Sequence, residues 1–416
     1  MDFNPTAPTV MHIDINSCFA TIEQQANPLL RGLPIAVVAY DSPRGCILAA
    51  SVEAKRYGVK TGMHLFEGRD LCPNLLAILP DPDKYRFIHK SLNKLLGRYC
   101  GEVYPKSIDE FVLDFQSHRV ESLPAQAGSM GSVAQAIKQK IKKNIGEWIT
   151  VSIGIATNRQ LAKVAAGMVK PDGLVEINKD NFRQVYKLLK LTDLHGINIR
   201  NELRLNSVGV TTVLEFYKSP PWKLKAAFKS VNALYWYSRL RGFEIDSVEF
   251  ARKSFGNSYS IPQNLKGAAE LSAILAKLVN KTASRLRKHG YAAYGIHVGI
   301  SFKKGLAPSG AIGEVGWHHG ERLAQPVFYT SDIFTQALRI LKKAPATRPV
   351  HTLAVSCYDL VHTPLLQLSI FEDLEKKRFL AETIDRVNNK FGSFVLMTGN
   401  MLSAGDAVKD RIAFGN

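Results

Sequence analysis

The sequence predicts an α+β chain of several domains, and three observations carry that reading. At 416 residues the chain is too long for one compact core, which points to roughly two to four domains. Its N-terminal part alternates strand-like apolar runs with helical spacing, as expected of central strands with helices around them. After Gly173 the texture turns to short basic helices, and from Ser254 a strand–helix–strand order returns.

In chain order, the first nine residues are polar and proline-bearing and read as a loose leader. Residues 10–15 read as a buried strand, and 19–25 as the start of a helix that ends before Pro28. Residues 34–39 and 46–50 are strand-like, joined by a turn through Asp41-Ser42-Pro43-Arg44-Gly45. A helix over 52–57 stops at Gly58, and the apolar spacing from 83 to 100 is helical. Residues 103–115 and 149–156 read as paired strands, with a helix over 132–144 between them. Asn158 is placed to cap a helix through Leu161, Val164, Ala165 and Met168, stopped at Pro171. Segments 194–208 and 222–239 are helical, joined by turns at Gly209 and Ser219-Pro220-Pro221, and 243–252 lack apolar periodicity and read as a linker. From 254 to 360 the order is strand, long helix (265–289), strands, helix (332–343), strand, which suits a small open sheet with two helices on one face. The tail carries one apolar knot, Gln367-Leu368-Ser369-Ile370-Phe371, and then a charged helix.

A net charge of +18 favours a polyanionic partner, nucleic acid first and an anionic membrane surface second, with plain solubility as the bland alternative. Cys18, Cys46, Cys72, Cys100 and Cys357 are odd in number and contain no C-x-x-C pair. That argues against a disulfide framework and a structural zinc and fits a reducing cytosol. No stretch ahead of Met11 reads as a signal peptide and no apolar run reaches membrane-spanning length, so a cytoplasmic protein is expected.

The most informative feature is the adjacent pair Asp109-Glu110 in Ser107-Ile108-Asp109-Glu110-Phe111-Val112-Leu113, with a third acid at Asp14 in His12-Ile13-Asp14-Ile15-Asn16. Carboxylates at the ends of apolar strands are costly unless something compensates them. Divalent cations do: Mg²⁺ takes hard oxygen ligands and keeps positions open for phosphate and water, and two such ions clamp a phosphoryl transfer. Taken alone, an Asp-Glu pair beside a strand is more often a solvated turn than a metal site. Phe19, five residues after Asp14, reads as a ring that excludes a 2′-hydroxyl from a nucleotide sugar, or as a core aromatic. Lys55 and Arg56 near a helix start, and Lys163 one turn into the helix after the strand ending at Ala156, read as triphosphate contacts or as solvent-facing charges.

In order, segments 11–23, 45–63, 104–114, 151–173 and 252–258 resemble the Y-family translesion DNA polymerases. The most specific pieces are Ser107-Ile108-Asp109-Glu110, Glu53-Ala54-Lys55-Arg56-Tyr57-Gly58-Val59-Lys60-Thr61-Gly62, and the run from Ala162 to Lys170-Pro171-Asp172-Gly173. The resemblance implies a right-hand architecture: palm 1–20 and 84–176, fingers 21–83, thumb with a helix-hairpin-helix 177–242, linker 243–253, little finger 254–361 and a tail 362–416. It implies that Asp14, Asp109 and Glu110, with the Ile15 carbonyl, hold two Mg²⁺, that Phe19 senses the sugar, and that Lys55 and Lys163 meet the triphosphate. Lys55 stands where many relatives carry arginine, and a lysine lacks the bidentate fork. Val52 stands where many place a phosphate-bonding tyrosine. Leu194-His195-Gly196-Ile197-Asn198 stands where relatives usually have Gly-Ile-Gly, with Asn198 expected to take the left-handed backbone of a phosphate-binding turn at Gly196 and a hairpin without a phosphate role as the alternative.

Primer-template DNA and deoxynucleoside triphosphates are the implied partners. Arg252, Lys253, Lys281, Arg285, Arg287, Lys288, Lys303 and Lys304 are candidates for a grip on DNA phosphates that reads no sequence. Gln367, Leu368, Ile370 and Phe371 are similar to the bacterial sliding-clamp-binding peptide, with packing on the chain's own domain as the alternative. The expected activity is error-prone translesion synthesis by a monomer of low processivity, with no residues left for a proofreading exonuclease. Two other classes stay open: another palm-type two-metal nucleotidyl enzyme, such as a cyclase, and a catalytically silent DNA- and clamp-binding accessory protein.

Overall fold

The computed structural model describes residues 1–116, 129–247, 251–261, 268–302, 316–345, 349–363 and 374–408. The described residues divide into two compact units, 1–247 and 251–408.

The first unit begins β1 (Val10–Ile15), α1 (Cys18–Ala26), β2 (Ile35–Val38), β3 (Ile47–Ala50), α2 (Val52–Arg56), α3 (Leu65–Leu71), β4 (Leu76–Ile78) and α4 (Pro82–Leu96). It continues β5 (Val103–Pro105), β6 (Glu110–Asp114), α5 (Met130–Asn144), β7 (Val151–Ala156), α6 (Arg159–Met168) and β8 (Leu174–Glu176). Five helices follow: α7 (Phe182–Leu188), α8 (Ile199–Asn206), α9 (Val213–Lys218), α10 (Pro221–Phe228) and α11 (Asn232–Arg239).

Its main sheet has the order β5-β6-β1-β7-β8. β1 is almost wholly buried, so its backbone groups need ladder partners along both edges. It finds them antiparallel in β6, with Asp14 opposite Glu110, and in β7, with Asp14 opposite Ser152. The expected direct pairing of 103–115 with 149–156 is therefore wrong, because β1 lies between them. Residues 103–115 are also two strands rather than one, broken at 106–109 where the Glu110 N–H donates to Ser107 Oγ at 3.1 Å.

Alternate side chains of the sheet enter two cores. Met11, Ile13, Ile15, Phe111 and Leu113 pack with α1, α4 and α5. Val10, Val112 and Ala156 face α6 and the helices after it. Asn158 caps α6 as expected, its side chain accepting the Leu161 N–H at 2.8 Å. The helix crosses directly over Gly154, where a Cβ would lie 2.0 Å from the Ala162 carbonyl oxygen and 2.3 Å from the Ala166 nitrogen. Gly154→Ala must lift α6 off the sheet, and we expect a loss of about 1–3 kcal/mol, the usual range for overpacking, measured by urea unfolding.

Other expectations need correcting. The N-terminal residues are not a loose leader: Phe3 is buried and stacks on Phe182 at 4.2 Å, and the Asn4 N–H donates to the Arg241 carbonyl at 2.7 Å. Helices α7 and α9 escaped the sequence reading because seven and six residues carry too little periodicity. Segment 222–239 is two helices, broken where Lys229 takes a left-handed φ of 49°. The segment read as a linker starts anchored, with the Arg159 N–H donating to Glu244 at 2.8 Å and Asn158 Nδ2 to the Phe243 carbonyl at 3.1 Å. β2, β3 and β4 form a separate small sheet, order β3-β2-β4, over a core of Ala36, Val38, Ile47, Ala54, Val59 and Leu65.

The second unit holds β9 (Ser254–Ser260), α12 (Ala268–Lys288), β10 (Tyr291–Phe302), β11 (Gly316–Val327), α13 (Thr330–Leu341), β12 (Val350–His362) and α14 (Leu374–Phe391). Its sheet runs β11-β10-β12-β9, and Phe255, Ile296, Val298, Leu353 and Val355 pack with α12 and α13, as the sequence predicts. Residues after α14 also join this core through Val408, with Ala404 and Ala407 packed against it. Among the described residues, no helix is long and apolar enough to cross a membrane.

Candidate active site

The fold gathers the acids at one end of the main sheet. Asp14 lies near the C-terminal end of β1, Glu110 opens β6, and β7 and β8 both begin there. Asp14 and Glu110 are cross-strand neighbours. Asp109 precedes Glu110, and its carbonyl accepts the Ile15 N–H at 3.0 Å, which ties the two acid-bearing loops together.

Each carboxylate is held by a partner. Lys170 Nζ lies 2.7 Å from Asp14 Oδ2, and Lys163 Nζ lies 2.7 Å from Glu110 Oε2. The Ser107 hydroxyl donates to Asp109 Oδ1 at 2.5 Å. Burial pushes the Asp14 carboxyl above its usual range; Lys170 opposes the rise, and the charges of Glu110 and Asp109 add to it. Burial likewise disfavours the Glu110 carboxylate, but His12 and Lys163 outweigh it and hold Glu110 down at about 2. His12 Nε2 is 3.8 Å from Glu110 Oε1, an ion-pair separation longer than a hydrogen bond, and both of its ring nitrogens are buried without a hydrogen-bond partner.

Lys55 and Lys163, both read from the sequence as triphosphate contacts or solvent-facing charges, lie beside these acids. Burial, followed by the charge of Lys170, lowers the Lys55 ammonium, while Asp14 and Asp109 pull it up. Lys170 was missed as a site residue. The β7–α6–β8 crossover returns the chain to the end of the sheet where β7 began, so the loop between α6 and β8 arrives beside Asp14. Asn16 fastens that loop, its Oδ1 accepting the Asp172 N–H at 2.8 Å and its Nδ2 donating to Ser152 Oγ at 2.9 Å. A short-range sequence pattern carries no sign of that convergence.

Phe19 opens α1 behind these groups and is 2% exposed, its ring stacked on Tyr85 at 4.4 Å and 10°. The Tyr85 hydroxyl donates to Glu23 at 2.8 Å, which also receives Lys84 Nζ at 2.6 Å, so the stacked pair is anchored at its far side.

The remaining candidates lie elsewhere. Gly196 takes a φ of 103° and lines a cleft of about 360 Å³ with His195, Asn201, Arg204, Trp236 and Arg239. Asn198 is not left-handed as expected: its φ is −95°, and its side chain caps α8 by accepting the Asn201 N–H at 3.0 Å. The unusual φ belongs to the glycine, and the asparagine serves as a helix cap. Burial and then Lys163 lower the pKa of the His195 imidazole, and the backbone carbonyl of His195 accepts Gln160 Nε2 at 2.7 Å. In the second unit Arg252 lies over the Phe255 ring at 4.8 Å, and Lys253 is exposed. Arg287 is no surface cation: it donates to both oxygens of Asp385, at 2.8 and 2.9 Å, and to the Phe328 carbonyl at 2.8 Å. Arg285 donates to the Gly256 carbonyl at 3.2 Å, and the Lys281 ammonium sits 5.5 Å from the Phe394 ring. Lys303, Lys304 and the peptide Gln367, Leu368, Ile370 and Phe371 lie outside the described residues.

The donor set at the acids is three carboxylates and a backbone carbonyl, hard oxygens of the kind Mg²⁺ takes. As the side chains stand, no three His, Cys, Asp or Glu groups among the described residues form a metal cluster. The carboxylates are turned instead to Lys170, Lys163 and Ser107, so ammonium groups stand in for cations on two of the three. A site already holding positive charge on converging acids fits divalent ions.

Residues 13–167 match the impB/mucB/samB family, and residues 252–370 match the C-terminal domain of the same family. A DNA polymerase IV of Moorella thermoacetica is 32% identical over 399 residues, covering 93% of this chain and 94% of the relative. One from Pelotomaculum thermopropionicum is 28% identical over 408 residues, 97% of each chain. Among solved structures, the Y-family DNA polymerase chimera Dbh-Dpo4(243-245)-Dbh aligns with a TM-score of 0.72 at 23% identity, over 85% of this chain and 99% of its own. An insertion ternary complex of Dbh DNA polymerase aligns with a TM-score of 0.58 over the same shares.

Proposed function

This chain belongs to the Y-family DNA polymerases, the impB/mucB/samB family, and is a DNA-directed DNA polymerase; we propose that it works by Mg²⁺-dependent, two-metal, error-prone translesion synthesis. The observation that carries this reading is the convergence of Asp14, Asp109 and Glu110 at one sheet end, beside Lys55, Lys163 and Lys170. A cyclase needs no helical unit with a Gly196 turn and no second sheet unit. An accessory protein has no use for three compensated acids.

Asp14, Asp109, Glu110 and the Ile15 carbonyl are the groups that hold the ions. When bound, two Mg²⁺ supply the positive charge that activates a primer hydroxyl and neutralises the nucleotide's phosphates. Lys170 and Lys55 flank Asp14 and receive phosphate oxygens as point charges. Helix α1 begins beside them with no side-chain cap, so the positive end of its dipole favours an anion there. Lys163 keeps Glu110 ionised and in place. The chain positions charge and supplies no covalent nucleophile.

On this reading the main sheet is the palm, the small sheet the fingers, α7–α11 the thumb and the second unit the little finger. Gly196, Arg252, Lys253, Lys303 and Lys304 grip the DNA backbone, and residues 367–371 dock to a sliding clamp. Primer extension with Mg²⁺ on plain and lesion-bearing templates tests the function. DNA binding without extension of either template returns the accessory reading. Duplex affinity should fall at least about tenfold between about 50 and 200 mM salt and change little with sequence, as phosphate-dominated binding requires. Salt-independent affinity, read by fluorescence anisotropy, contradicts it.

A further inference from the structure

We propose that His89 is a positioning residue for Asp109, holding the Ile108-Asp109 backbone from the helix behind it. The inference rests on the reading of Asp109 as a metal ligand.

His89 sits on α4 between Tyr85 and Leu92, on the face that enters the core. Its imidazole stacks on Phe111 at 4.9 Å and 23°, which fixes the plane of the ring. Its Nδ1 lies 3.0 Å from the Ile108 carbonyl oxygen. A carbonyl only accepts, so Nδ1 carries the proton and donates. The Ile108 carbonyl belongs to the peptide plane that leads into Asp109.

That plane and the Asp109-Glu110 plane after it are set by contacts from several sides. The Ile15 N–H donates to the Asp109 carbonyl at 3.0 Å, and Ser107 Oγ accepts the N–H of Glu110 at 3.1 Å and of Asp109 at 3.4 Å. These contacts come from β1 and from within the turn. His89 ties the same turn to α4. The residues before β6 lie outside a sheet ladder, so their conformation depends on such ties. Partners of this sort, one step removed from a ligand, commonly govern ligand aim.

Two substitutions separate the parts of the contact. His89→Phe keeps the ring on Phe111 and deletes the donor. His89→Asn keeps a side-chain N–H near the position of Nδ1 and deletes the ring. Mn²⁺ is titrated into the full chain bound to primer-template DNA and a non-hydrolysable deoxynucleotide, with free Mn²⁺ read by electron paramagnetic resonance. We expect the binding midpoint to rise roughly tenfold in His89→Phe, the low end for losing a partner of a ligand, and to stay near wild type in His89→Asn. An unchanged midpoint in His89→Phe overturns the proposal. Equal weakening in both variants also overturns it, since the ring's packing would then be what matters. Asp109→Ala is run alongside: if it binds Mn²⁺ as wild type does, the reading of Asp109 as a ligand has failed. If it loses Mn²⁺ while His89→Phe does not, only the role of His89 has failed.

Discussion

Asp109→Ala is expected to lower primer extension by at least roughly 10³-fold, on the order of what losing one member of a catalytic unit costs, while duplex binding and the thermal midpoint stay near wild type. The asymmetry follows from the electrostatics of the site. Burial keeps the Asp14 carboxyl above its usual range and pushes up the Cys18 thiol, and the charge of Asp109 adds to both. Removing it relieves strain between like charges in the resting protein. What is lost structurally is one acceptor for the Ser107 hydroxyl, a partly buried group. The loop itself keeps its backbone ties to Ile15 and to Glu110. Function therefore falls with no comparable fall in stability, which is how a group retained for chemistry differs from one retained for packing. Steady-state extension, anisotropy on a primer-template duplex and a thermal melt measure the three quantities. Near-normal turnover would remove Asp109 from the chemistry, and a collapse of the melt would make the acid structural.

The same contrast explains what could be read from the chain alone. Asp14, Asp109 and Glu110 were legible because charged groups at the ends of apolar strands conflict with their surroundings, and such conflicts mark sites. Strand β1 and helices α4, α5, α6 and α12 were legible because each is long enough, or apolar enough, for its period to show. The order of the sheet was not. Residues 10–15 sit between two strands that come about a hundred residues later or more, and nothing local says which strand takes the centre. Lys170 was invisible as a site residue for the same reason, since its place depends on the return of a crossover to the sheet end. His12 and His89 resemble ordinary helix and strand histidines in sequence, and only the packed structure sets them against Glu110 and Ile108. Arg287 shows the reverse error. A cation at the end of a basic helix reads as a surface charge until Asp385, about a hundred residues on, is found beside it.

Phe19 was left with two readings, sugar gate and core ring, and the structure gives substance to the second while leaving room for the first. Its ring is 2% exposed and packs with Ile22, Ile35 and Tyr85, so Phe19→Ala should cost about 3–5 kcal/mol, as for other buried aromatics. A ring held this firmly is a better barrier than a mobile one, because a wall that yields cannot reject a hydroxyl. Stacking on Tyr85 fixes the ring's plane, and the bond from Tyr85 to Glu23 fixes Tyr85. The telling variant is thus Phe19→Leu, which keeps much of the buried volume, opens a smaller cavity and replaces the flat ring edge with a flexible side chain. We expect discrimination against ribonucleotides, as the ratio of kcat/KM for a deoxynucleotide over its ribonucleotide, to drop about 10- to 100-fold, the scale set when one apolar contact must reject one extra hydroxyl. Turnover of the deoxynucleotide should change far less, because Asp14 and Glu110 keep their own ion pairs with Lys170 and Lys163. If Phe19→Leu folds and its discrimination matches wild type, the ring is core packing and nothing more.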